Sequence, residues 1–233
     1  MITAYVTNLG KYNEGELCSE PLKLPATKED VKAVLSKIGV DGVNYEELFI
    51  ADYDTNLAGM QNLGEYERID ELNYLATLIS DMDDWERERF EAAAVYGDHN
   101  GNAKDLINLA QNLDCYELYP GVSDNDDLGR YLIEEMGFEE IPEHIEKYFD
   151  YDSYGRDFSI NEGGEFTDSG YVYRNSDRFT EHYDGRRVPD EYRIFAYPDP
   201  PEKMRIKDQL EMFGKMVKDA VVPDRPVPVR DDR

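Results

Sequence analysis

The chain has little of what a nucleic-acid binder, a membrane protein or a familiar type of enzyme needs. Its 233 residues hold only 25 Lys+Arg against 52 Asp+Glu, a formal charge of −27. Affinity for nucleic acid comes from Lys and Arg displacing counterions from phosphates, so a surface this poor in cations does not bind DNA or RNA directly. The same sign repels anionic membranes. No run of about 18 apolar residues is available to span a bilayer. The start, Met1-Ile2-Thr3-Ala4-Tyr5, lacks the basic region and apolar core of a signal peptide. The two cysteines, Cys18 and Cys115, lie far apart with no CxxC or Cys/His cluster, which reads as reduced structural thiols in a cytoplasmic protein.

Catalytic constellations are equally sparse. Only three histidines are present, His99, His144 and His182, and none sits in an HExxH or HxE setting. GxSxG, a Walker-type GxxxxGK[ST] and GxGxxG are all missing. The run Asp124-Asn125-Asp126-Asp127-Leu128-Gly129, with Glu135 at the twelfth position, opens like a calcium loop. Leu128 then occupies a ligand position, and the segment from Leu128 onward reads as helix interior. The expectation is a protein without enzymatic activity, cofactor or metal. A carboxylate pair acting in a glycosidase manner is the enzymatic alternative, and with so many acids any chosen pair is uninformative.

What is present points to a folded chain. Leu, Ile, Val and Phe together number 53, and the 18 Tyr, 9 Phe and single Trp argue for packed interiors. The charge is segregated. Residues 1–40 carry five acids and five bases, residues 41–170 carry 34 acids and seven bases, and residues 171–233 carry 13 of each. The whole excess therefore lies in the 130 central residues. Acidity for solubility or for life in high salt spreads over all surfaces, so the segregation favours a field aimed at a basic partner.

Along the chain, residues 1–63 read β-β-α-β. Residues 2–9 alternate as a strand, Gly10 to Gly15 as a turn, and Glu16 to Leu24 as a second strand. Thr27 reads as an N-cap with Asp30 three residues on, Val31, Val34, Leu35 and Ile38 follow helical spacing to Gly39, and residues 46–53 suggest a third strand. Residues 64–113 read as a helical domain. Its stripes are Ile69, Leu72, Leu75, Leu78 and Ile79; then Trp85, Phe90, Ala93 and Ala94, stopped at Gly97; then, after the cap Asn102, Leu106, Leu109, Ala110 and Leu113. Residues 114–173 read as an acidic α+β domain. It comprises a strand from Cys115 to Tyr119, a helix over 126–136 with Leu128, Tyr131, Leu132 and Met136 inward, and a helix starting at Pro142 that carries Ile145, Tyr148 and Phe149. A closing hairpin over 157–173 completes it. Residues 174–233 form a neutral, Pro-containing extension. Arg186-Arg187, Pro189, Pro198, Pro200 and Pro201 read as a linker, 202–219 as one amphipathic helix through Ile206, Leu210, Phe213 and Met216 or Val217, and the stretch from Val222-Pro223 to Arg233 as disordered.

The carboxylates admit one further reading. Duplex DNA presents about one charge per 1.7 Å of axis, and an array of carboxylates on a rigid scaffold can stand in for it. Asp81, Asp83, Asp84, Glu86 and Glu88 gather around the second helix, and Glu134, Glu135, Glu139, Glu140, Glu143 and Glu146 lie in the third part. A single Glu on a helix is by default a solvated face. Against that default stand the number of acids and the want of compensating i,i+4 lysines. Lys104 and Lys147 are the only lysines between Asp41 and Gly170, so the self-repulsion goes unrelieved. Asp52, Asp54, Glu65, Glu67, Asp124, Asp126, Asp127, Asp150 and Asp152 complete the nominated set.

The run Asn8-Leu9-Gly10-Lys11-Tyr12-Asn13-Glu14-Gly15-Glu16-Leu17 resembles the opening of ArdA-type antirestriction proteins. So do Tyr131-Leu132-Ile133-Glu134-Glu135-Met136-Gly137, Ile141-Pro142-Glu143 and Tyr151-Asp152-Ser153-Tyr154-Gly155-Arg156-Asp157, over roughly residues 1–173. The resemblance implies an α+β fold: an elongated, curved chain of three small domains (β-β-α-β, helical cluster, α+β) followed here by a C-terminal extension. It further implies a homodimer carried by mobile elements. Such a protein is a DNA mimic that blocks type I restriction-modification enzymes, the methyltransferase core with its specificity subunit, by occupying their DNA-binding cleft. Asp126, Asp127, Glu134, Glu135, Glu139, Glu140 and Glu143 would then correspond to the family's acidic antirestriction region. The alternative function is a generic acidic inhibitor or chaperone of another basic DNA-binding protein.

Overall fold

Ile2, Ala4 and Val6 alternate with half-buried Thr3 and Tyr5, and β1 (Ile2–Asn8) buries them in the middle of a three-stranded antiparallel sheet. In the computed structural model, which describes residues 1–199, β1 lies between β2 (Ser19–Leu24) and β3 (Leu48–Thr55), in the order β2-β1-β3. Leu9, expected as the end of the strand, and residues 10–13, expected as part of a turn, form a short helix α1 (Leu9–Asn13), because the Asn8 side chain accepts the Lys11 N–H and starts it. Helix α2 (Lys28–Ile38) covers the sheet with Val31, Val34, Leu35 and Ile38. Its start is the expected reciprocal cap: the Thr27 hydroxyl takes the Asp30 N–H, and the Asp30 carboxylate takes the Thr27 N–H at 2.9 Å. Gly39 ends it at φ 78°, a left-handed conformation that suits glycine. Thr27→Ala should cost about 1 kcal/mol, read as a lowered urea midpoint with an unchanged m-value.

Helices α3 (Ile69–Asp81), α4 (Asp84–Tyr96) and α5 (Ala103–Ala110) occupy the stretch where apolar stripes were read, and Asn102 caps α5 as expected. Trp85 departs from the sequence reading and is 41% exposed. Phe90, Ala93 and Ala94 set the inward face of α4, and a residue five positions before Phe90 lies about 140° round the helix from it.

The third part has a second antiparallel sheet, β4 (Tyr116–Pro120), β5 (Glu165–Thr167) and β6 (Gly170–Arg174), in the order β4-β6-β5. Helix α6 (Asn125–Arg130) continues as a π-helical turn over Tyr131–Glu135. Leu128 and Leu132 are buried as expected, whereas the widened turn shifts the helical phase and leaves Met136 46% exposed. The helix expected from Pro142 is a single turn, α7 (Glu143–Glu146), with Ile145 and Tyr148 exposed. Ile141 and Phe149 beside them are only half-buried, so no continuous apolar stripe forms.

Residues 151–162, the first half of the segment read as a hairpin included, form helix α8 (Tyr151–Glu162); the hairpin proper is β5–β6. Two glycines explain the helix. A Cβ on Gly155 would overlap the Asn125 carbonyl oxygen, and one on Gly129 would overlap the Tyr151 carbonyl oxygen, so α6 and α8 cross backbone to backbone. Gly129 thus serves a helix crossing inside α6 and not a metal loop.

One hydrophobic core runs from Ile2 and Leu35 through Leu75, Phe90 and Leu106 to Tyr116, Leu118 and Val172. A smaller one gathers Tyr119, Val122, Leu128, Leu132 and Tyr171. The segment read as a linker contributes Val188 and Ile194 to the main core, and Tyr183 just before it joins them. The amphipathic stretch 202–219 and the end from Val222 lie outside the described residues.

Candidate functional site: the carboxylate surface

Seventeen of the twenty nominated acids are exposed; Glu67, Asp126 and Asp127 are half-buried. They fall into three groups by what holds them. The first group caps helices. Asp83 and Glu86 form a reciprocal cap on α4, at 2.8 and 3.0 Å; Asp124 accepts the Asp127 N–H at 2.9 Å; and Asp150 accepts both the N–H and the hydroxyl of Ser153. Asp127 takes the hydroxyl and N–H of Ser123, and these bonds hold its carboxyl below the usual carboxylate range. The Ser153 N–H and hydroxyl do the same for Asp150. Because both native values are lowered, the stability from these caps is complete above the ordinary pKa of about 4 and is lost as pH falls through the native values. Asp150→Asn should therefore flatten the acid side of the stability profile, checked by urea unfolding at several pH values between neutrality and acid.

The second group is paired. Arg130 donates to Asp126 at 2.7 Å and reaches Glu134 at 3.6 Å, with its guanidinium 4.4 Å from the centre of the Tyr151 ring. It thereby ties the acids of α6 to the start of α8. Arg87 lies 3.8 Å from Asp84. Of the remaining cations between residues 41 and 170, Arg68 pairs with Glu71, Lys104 with Glu181 and Arg156 with Asp157. Lys147 stands over the Tyr148 ring at 4.9 Å, and Arg89 donates to the Leu113 carbonyl at 3.2 Å. The few cations are therefore already engaged.

The third group is bare. Glu135, Glu139, Glu140, Glu143 and Glu146 are exposed and have no cation within 4.0 Å among the described residues. With Glu134 and Tyr151, three of them edge an open groove beside Gly137 and Pro142. Asp81, Glu88 and Asp152 are exposed on or beside helices α3, α4 and α8. Asp52 and Asp54 sit on edge strand β3, where Ala51 and Asp52 bulge opposite Tyr5 and turn the chain outward. Glu65 is exposed in the loop before α3, and burial raises the Glu67 carboxyl. Among the described residues, no group of His, Cys, Asp and Glu has the geometry to hold a metal ion, and no helix is long and apolar enough to cross a membrane.

The stretch after β6, of which the part from Arg186 on has the composition of a linker, is bound to the fold along its length. Residues 175–197 run as a strap across the molecule. Asn112 receives the Thr180 N–H at 2.8 Å and donates to the Thr180 carbonyl at 2.9 Å, and Asn108 does the same with Tyr183 at 2.9 and 2.8 Å. Each side-chain amide thus reads a backbone N–H and C=O as a neighbouring strand would. Further along, Tyr192 stacks on Tyr74 with ring centres 4.1 Å apart, and Asp70 accepts the N–H groups of Ile194 and Phe195. Two buried asparagines four residues apart, Asn108 on apolar α5 and Asn112 just past its end, are the signal for this, since buried amides need partners.

The fold is a mixed α+β scaffold that presents exposed carboxylates while the cations of residues 41–170 are engaged by neighbouring groups. Residues 4–173 match the model of the antirestriction protein family ArdA, and the chain belongs to that family. Antirestriction proteins act against restriction enzymes, as inhibitors and not as enzymes. No curated protein matches the chain.

Proposed function

We propose that this protein is a DNA mimic that inhibits type I restriction-modification enzymes by placing its carboxylate surface in their DNA-binding cleft. The observation that carries the reading is the thinly compensated surface: of seventeen exposed nominated acids only Asp84 and Glu134 have a cation within 4.0 Å among the described residues. Carboxylates standing in for phosphates give a field that steers the protein into a basic cleft. The acids of residues 1–63, 64–113 and 114–173, taken as three domains, together form the contact surface, and pairing into a homodimer doubles its length. The partner is the methyltransferase core with its specificity subunit, in the cytoplasm of a cell that carries a mobile element. No nucleic acid, membrane, cofactor or metal takes part.

The test is competition between the purified full chain and a fluorescent DNA duplex for a type I methyltransferase complex at moderate salt. The reading requires displacement of the DNA, weakened on raising salt. Retention of the DNA at saturating protein would contradict it; displacement from an unrelated basic DNA-binding protein instead would favour the generic inhibitor.

A further inference from the structure

The strap lies beyond the region matched by the family, which ends at residue 173, yet it touches all three parts of the fold in turn. At its start Asn175 donates to the Asp114 carbonyl at 2.7 Å, beside strand β4. It then crosses the helical part on Asn112 and Asn108. Asn73 on α3 donates to the Tyr192 carbonyl at 3.0 Å and accepts the Ala26 N–H at 2.9 Å, so one side chain joins the strap to the loop before α2. At its end the Tyr197 hydroxyl donates to the Glu46 carbonyl at 3.0 Å, and its ring lies against Gly42.

We infer that residues 175–197 are a cross-tie that, on top of the core the three parts share, fixes them relative to one another and thereby sets the spacing of carboxylates carried on different parts. A flexible connection needs none of these contacts. A tie needs anchors on each part and specificity along its length, and side-chain amides paired with buried backbone provide both, since a buried peptide group left without a partner costs free energy. A surface that matches a rigid duplex gains most from preorganisation, because freezing loose parts on binding reduces affinity. The second half of this inference rests on the DNA-mimic reading; the tie itself does not.

The experiment uses the full chain with Cys18→Ser, spin-labelled at Ala33→Cys on α2 and Ile160→Cys on α8, both exposed; Cys115 is buried. The label-to-label distance distribution is measured in this background and with Asn108→Leu/Asn112→Leu, which removes the amides at similar volume. Tyr197→Ala releases only the exposed end, and it decides the matter should the double variant fail to fold. The tie predicts a narrow distribution that broadens in the variants, with competition against DNA falling at least tenfold in the double variant while helical circular dichroism is retained. An unchanged distribution in the folded variants overturns the tie. Broadening without loss of competition overturns its role in spacing the acids. A parent chain that never displaces DNA overturns the mimic reading, and the distance measurement still judges the tie.

Discussion

Gly155→Ala is expected to lower the thermal midpoint by about 5–10 °C, at about 2–4 °C per kcal/mol for a chain of this size. Two effects oppose each other. Alanine gains about 1 kcal/mol over glycine in a helix interior, and at an exposed site that gain would dominate. Here the added methyl meets the Asn125 carbonyl and the Gly129 N, backbone atoms that cannot swing aside as a side chain can. Overpacking of this kind typically costs 1–3 kcal/mol, and more where nothing yields, so the net loss is about 2–3 kcal/mol. Gly129→Ala should behave alike, since its methyl meets the Tyr151 backbone. Gly64→Ala is the control, an exposed site with ordinary space around it. Differential scanning calorimetry measures all three; a midpoint for Gly155→Ala equal to that of the control would show that α6 and α8 do not cross backbone to backbone.

The second large effect concerns the bare acids. Replacing Glu135, Glu139, Glu140, Glu143 and Glu146 together by glutamine should weaken competition with DNA roughly 50- to 100-fold. Exposed charge pairs contribute about 0.2–1 kcal/mol each. Five at about 0.5 kcal/mol sum to about 2.5 kcal/mol, provided the sites act independently. Any one replacement should change affinity no more than about fivefold, because no single residue dominates. The fold should hold or gain stability, since these residues cap no helix and their loss relieves like-charge repulsion. Competition titrations of the five single variants and the combined one check this; a single variant that abolishes binding would mean a specific contact in place of a distributed field.

Much of this was legible in the sequence because the signals are local. Thr27 with Asp30, Asn102 and the glycines at 39 and 97 mark helix ends within three or four residues, and the alternation of Ile2, Ala4 and Val6 marks a buried face. The exposure of the acids was legible for a similar reason: carboxylates without nearby cations stay in water. Helix α8 was obscured because Gly155 reads as a helix breaker until its partner, 26 residues earlier at Gly129, is seen against it. The strap was obscured by the same kind of distance. Arg186 to Pro198 has the composition of a linker, and its partners Asn73 and Asn108 lie 75 or more positions away.

The central claim is that carboxylates act in place of phosphates, and the dependence of binding on salt tests it most directly. The dissociation constant for the methyltransferase complex should be measured by fluorescence across a series of salt concentrations, for the native chain and for the fivefold glutamine variant. The account predicts a steep loss of affinity with rising salt for the native chain and a shallower slope for the variant, since fewer charges are then screened. Equal slopes, or an affinity indifferent to salt, would contradict it.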